Sequence, residues 1–165
     1  PNLLYRCLDL IPTYGSIVRY PCGPVSMLKR SNGIPRLISN RMGAYTTDTA
    51  YRIIPNNTIN SERLVYCFIN TVTALSAELE GRSYGGGVLE LVPSEIGRLL
   101  VPYIPDITIN LEVLDHLIRA GDMQTVLDAQ DSTLFSKCAD VKMKDIRLLR
   151  NALDRLRLRR QRISE

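Results

Sequence analysis

Three consecutive glycines, Gly85-Gly86-Gly87, stand between Gly81-Arg82-Ser83-Tyr84 and the alternating run Val88-Leu89-Glu90-Leu91. A glycine brings no side chain to a core and loses more backbone freedom on folding than any other residue. Three together therefore serve a sharp chain reversal or a bare backbone laid against something bulky, and residue chemistry alone leaves both open. A long helical pattern precedes them and β-like residues follow. That order is the inverse of a nucleotide loop, where glycines leave a buried strand and open a helix whose N–H groups face the phosphate. A cofactor loop is excluded on that ground. Arg82 and Tyr84 beside the glycines offer a partner for phosphate or guanine and a ring that can stack.

Around this landmark the chain divides by pattern. Residues 1–58 read as strands and turns. Leu3-Leu4-Tyr5, Ile17-Val18-Arg19-Tyr20, Arg36-Leu37-Ile38 and Ala50-Tyr51-Arg52-Ile53-Ile54 are rich in β-formers, with Pro21-Cys22-Gly23-Pro24, Ser31-Asn32-Gly33 and Pro55-Asn56-Asn57 as turn chemistry between them. Asn60 suits an N-cap, and Leu64, Phe68, Val72, Leu75 and Leu79 then recur at helical spacing. One helix over 61–80 is expected, stopped by Gly81 just past its end. Pro93-Ser94-Glu95 opens a short helix expected to run through Leu100, Pro102 and Pro105 end it, and two more helices are expected over 111–120 and 123–130. Ile146, Leu149, Leu153 and Leu156 form a narrow heptad-like seam on an Arg-rich terminal helix over about 144–162.

Composition narrows the function. The chain is 165 residues, 45% hydrophobic and 23% charged, which suffices for a real core. It opens at Pro1 without an initiator Met, so a fragment or processed chain is expected. No apolar run reaches the roughly 20 residues that span a bilayer, so a cytoplasmic location without membrane contact is expected. The net charge of +4 is uneven: residues 142–165 hold nine basic and three acidic side chains, leaving the rest slightly acidic. That asymmetry points to a polyanion or an acidic protein surface. The arginines of this segment read as solvated positions on a docking helix or as phosphate contacts.

Four dispersed cysteines and a single histidine, His116, assemble neither a metal set nor a nucleophile–base pair. Glu78/Glu80 and Asp128/Asp131 read as ordinary charged helix surface. Tyr45-Thr46-Thr47-Asp48-Thr49 crowds hydroxyl and carboxyl groups into a β-like stretch, as a turn network or as donors and acceptors for base edges.

Gly33-Ile34-Pro35-Arg36-Leu37-Ile38-Ser39-Asn40, Gly43-Ala44, Thr47-Asp48-Thr49, the helical run, Gly81-Arg82-Ser83-Tyr84-Gly85-Gly86-Gly87-Val88-Leu89-Glu90-Leu91, Pro93-Ser94-Glu95 and Ile118-Arg119-Ala120-Gly121-Asp122 occur in one order. In this the chain resembles the C-terminal region of adenine-specific (N6) DNA methyltransferases of bacterial restriction–modification systems, over about residues 15–130. The resemblance implies a target recognition domain that binds duplex DNA while an N-terminal domain of the same polypeptide holds S-adenosylmethionine and the flipped adenine. This chain has no Pro-Pro dipeptide and so lacks the catalytic motif. It is expected to bind no cofactor and to catalyse nothing by itself. The DNA-contacting residues so implied are Arg36, Asn40, Arg41, Thr47, Asp48, Arg52, Arg82, Ser83, Tyr84, Gly85, Gly86 and Gly87. The alternative is a protein-docking or oligomerisation module that meets a restriction endonuclease or a second copy. The expected fold is α+β: a small, mostly antiparallel sheet packed on a long helix within 1–105, then a helical C-terminal subdomain over 106–165.

Overall fold

The computed structural model describes residues 4–6, 22–136 and 141–162. Its N-terminal part is a set of small antiparallel sheets and its C-terminal part is helical, the α+β arrangement expected. The first sheet has the order β4-β2-β5, from β2 (Val25–Leu28), β4 (Leu37–Ser39) and β5 (Ala50–Ile53). Alternation sorts its faces. Val25, Met27, Leu37 and Ile53 are buried against Leu64 and Phe68, while Ser26 lies opposite Ile38 and Arg52 on the other face. The central strand β2 is not apparent in the sequence. It is four residues long, flanked by Pro24 and Lys29, and contains Ser and Met in place of β-branched neighbours. The strand expected over 17–20 lies outside the described residues.

The second sheet, in the order β3-β7-β6, joins β3 (Arg30–Ser31), β6 (Arg82–Tyr84) and β7 (Val88–Glu90). Lys29 stitches the two sheets: its N–H donates to Thr49 O and its carbonyl accepts from Leu91 N, both at 3.0 Å. A third, two-stranded ladder pairs β1 (Leu4–Arg6) with β8 (Leu100–Pro102).

The helix expected over 61–80 is two helices, α1 (Ser61–Phe68) and α2 (Thr71–Glu80). The apolar spacing continues across the break, so periodicity does not reveal it. The break is made by Asn70, which is fully buried. Its side-chain carbonyl accepts from Thr73 N at 2.8 Å, capping α2, and its amide donates to Cys67 O at 2.7 Å, closing α1. Burial pushes the neighbouring Cys67 thiol up to about 11, so it stays protonated at neutral pH. Gly81 does end α2, but at φ −81°, not in the left-handed region. Space requires glycine there: a Cβ would lie 2.8 Å from both Ala77 O and Leu89 Cδ1.

The helix expected to run through Leu100 ends at Ile96 as α3 (Pro93–Ile96), and Leu100 instead joins the β8 ladder with β1. Three helices follow: α4 (Leu111–Arg119), α5 (Met123–Phe135) and α6 (Met143–Arg162). They share a core with the first part. Ile34, Ile69 and Ala74 pack with Leu114, Val126, Leu127 and Leu153, and Cys67 and Ile104 pack with Leu134, Phe135 and Ile146.

Candidate functional site

The glycine run is the tip of the β6–β7 hairpin, with Arg82 opposite Glu90, Ser83 opposite Leu89 and Tyr84 opposite Val88. Gly85–Gly87 make one short 3-10 turn in which Gly86 and Gly87 have φ of 76° and 69°. A side chain there would be strained by the backbone. At Gly85 and Gly86 it would meet no atom within 4 Å. The turn thus demands glycine at 86 and 87, and the tip at Gly85 and Gly86 stands open. Arg82, Ser83, Tyr84, Gly85 and Gly86 are all exposed, while Gly87 is buried.

Leu89 fixes the inner face of this sheet in the core, 2% exposed. The outer face carries Arg30, Arg82, Tyr84 and Glu90. Arg30 donates from Nε to Glu90 at 2.9 Å and lies over the Tyr84 ring, 4.2 Å from its centre. Arg82 donates from Nε to Glu95 Oε1 at 2.6 Å. Glu95 is itself fixed, because its Oε2 accepts from Val92 N at 2.8 Å at the start of α3. The Glu95 side chain is 5% exposed and that of Arg82 64%. Close by, Lys29 Nζ lies 5.2 Å from the Tyr51 ring centre. Burial raises the Tyr51 phenol above its ordinary range, and the carboxylates of Glu90 and Glu95 raise it further.

The second group of expected residues lies on and after β4. The loop between β4 and β5 exposes Arg41, Met42, Tyr45, Thr47 and Asp48. Asn40 holds this loop in shape: its amide donates to Gly23 O and Ala44 O and its carbonyl accepts from Ala44 N, each at 2.8 Å. Thr47 and Thr49 share a hydroxyl hydrogen bond of 2.8 Å, the turn network that the residue types allow. Arg41 reaches back to Glu62 at 2.7 Å, a bond that shifts its guanidinium upward from its ordinary value. Arg36 is exposed just before β4, and the stem of half-buried Arg52 runs over Gly23, where a Cβ would sit 2.5 Å from its Cγ. An open cleft of about 730 Å³ separates β4 from α4, with Arg36, Arg41 and Arg119 on its rim and Val65, Ile69 and Leu114 beneath.

The acidic residues read as helix surface divide in the structure. Glu80 is half-exposed and pairs with Arg98, and Asp128 is exposed. Glu78 and Asp131 are buried, their side chains 4% and 1% exposed. Arg160 grips Glu78 through two bonds of 2.9 and 2.7 Å and also donates to Gly87 O. Arg150 donates to Asp131 at 2.6 Å and to Thr71 Oγ1 at 2.7 Å, and Asp131 also accepts from Thr71 N at 2.8 Å. Two arginines of the basic segment are therefore internal struts, one of them directly under the glycine turn. The signal was in the spacing: Ile146, Arg150, Leu153, Arg157 and Arg160 step by three and four, so both struts lie on the stripe of buried Leu153.

Among the described residues no group of three or more His, Cys, Asp or Glu side chains could hold a metal ion, and no helix is long and apolar enough to cross a membrane. His116 is exposed on α4. The glycine turn joins two strands and has no helix start beneath it, so it does not fit the phosphate or S-adenosylmethionine role of a helix-opening loop. The family model described as "Type II methyltransferase M.Eco57I, C-terminal domain" matches residues 17–135, and the chain belongs to that family. No curated protein and no solved structure matches it.

Proposed function

On the premise of that membership we propose that this chain is the DNA target recognition domain of a site-specific adenine-N6 methyltransferase. The match over 17–135 carries the reading, because it spans every residue on the two exposed loops described above. Base modification in a duplex requires the target nucleotide to be extruded while the flanking helix is held in register. Phosphate contacts supply the register and base-edge contacts the sequence preference. Arg36, exposed beside the cleft, suits phosphate, whereas Arg41 is paired with Glu62. The β6–β7 hairpin, a two-stranded ribbon with a bare tip, has the form that a major groove admits. S-adenosylmethionine and methyl transfer belong in this reading to a separate catalytic domain, and the partners are duplex DNA and that domain.

Fluorescence anisotropy of the full-length protein on a labelled duplex of randomised sequence, titrated with salt, tests the phosphate role. Arg36→Ala should weaken binding about equally for all sequences and reduce the salt slope by about one. Binding and salt slope unchanged in that variant contradict it. A docking module would instead leave DNA affinity alone and change the mass of a complex in light scattering.

A further inference from the structure

Resting on the recognition reading, the geometry points to Arg82 as a guanine-reading residue held in aim by Glu95, which acts as a positioning residue. Three observations separate this from a phosphate contact or a surface ion pair. First, the charge is wrong for phosphate. The outer face of the sheet brings Arg30 and Arg82 together with Glu90 and Glu95, two cations against two anions, and each arginine has a glutamate within 2.9 Å. A phosphate cradle gains affinity from net positive charge and counterion release, and here the glutamates cancel it.

Second, the pair is built asymmetrically. A surface ion pair has two mobile, solvated ends. Glu95 is buried with both oxygens engaged, one by Val92 N at the head of α3 and one by Arg82 Nε, while the Arg82 side chain remains mostly in solvent. The carboxylate is the fixed post and the guanidinium is the part presented. Third, the atom used matters. Anchoring through Nε orients the guanidinium plane and directs its terminal nitrogens outward. That edge is the fork which meets O6 and N7 of guanine in the major groove. The strand carrying Arg82 leads directly into the bare turn of Gly85 and Gly86, where the ribbon can approach a groove without a side chain in the way. Tyr84, half-exposed on the same face, lies under Arg30.

The test is in vitro selection from a duplex library of randomised sequence by the native full-length protein, followed by affinity measurements on the enriched duplex and on the starting pool. The wild-type motif should contain a G·C pair whose preference disappears in Arg82→Lys, a variant that keeps the charge and loses the fork. The enriched duplex should lose about ten- to a hundredfold more affinity than the pool. Glu95→Gln, which still accepts from Val92 N, should flatten the preference at that same base pair with no shift in the rest of the motif. A merely structural role for Glu95 would not select one base pair. An unchanged motif in Arg82→Lys overturns the inference while leaving the recognition reading intact. Equal losses on enriched duplex and pool in Arg82→Ala overturn it in favour of a phosphate contact. A wild-type protein that enriches no motif overturns the recognition reading and this inference with it.

Discussion

Arg160 occupies a position on α6 where a leucine would suffice to seal one helix against another. It is 5% exposed, bonded to both oxygens of Glu78 and to the carbonyl of Gly87. Burying a charge is costly unless it is paired and hydrogen-bonded, and here both sides are. The arrangement binds α6 to α2 and also fixes the inner end of the glycine turn. Arg160→Met should therefore strand the Glu78 carboxylate in the core and lower stability by about 3–5 kcal/mol, read from urea denaturation. The double variant Arg160→Met/Glu78→Leu should recover most of it, since replacing a buried pair with apolar residues is often neutral. Failure of the double variant to recover would mean that the Gly87 contact, and not the ion pair, carries the energy. The helical spacing places Arg160 on the buried stripe, but its partner is not visible in the sequence, because Glu78 lies 82 positions away.

At the scale of elements, helices were the most legible part. α4 and α6 follow from the Asn110 cap and the apolar seam, whereas α5, expected to end at Gln130, runs on to Phe135 because Leu134 and Phe135 are buried in the core. Two things escaped the pattern for physical reasons. Phe68 and Val72 keep helical spacing across the α1–α2 break, while the decision to break is made by the two hydrogen bonds of Asn70. The strand β2 is legible only from its neighbours, since its burial comes from lying between β4 and β5. The glycines around β6 show the same limit: the sequence marks them as special without saying why. The structure separates steric from conformational need, and stability measurements can confirm the separation. Gly81→Ala should cost about 1–3 kcal/mol, through overpacking against a backbone oxygen and Leu89. Gly86→Ala should cost about 1–2 kcal/mol, through the positive φ alone. A change from Gly86 to D-alanine, which favours that φ, should remove the second penalty and leave DNA contact as the only readout. A Gly86→Ala protein as stable as wild type would contradict the turn geometry.

Across the whole molecule, the helical C-terminal part is not an appendage. Ile146 and Leu153 of α6 are core residues, 3% and 0% exposed, and Arg150 ties α6 to α2 and α5 through Thr71 and Asp131. Removing α6 would open the core, so its electrostatic contribution is better tested through exposed cations such as Lys144, Arg147, Arg155 and Arg159. The candidate site, by contrast, is assembled by β-structure from distant parts of the chain. The sequence named its two loops from their residue chemistry, but their common anchor at Lys29 and the glutamates behind Arg30 and Arg82 exist only in the folded sheet.

The central claim is that DNA lies on those two loops, and amide hydrogen exchange of the full-length protein with and without its duplex tests it most directly. The account predicts slowed exchange in peptides covering residues 40–49 and 82–87, with the outward side of α6 unchanged or slowed only at low salt. Slowed exchange confined to α6, or to neither loop, would contradict it.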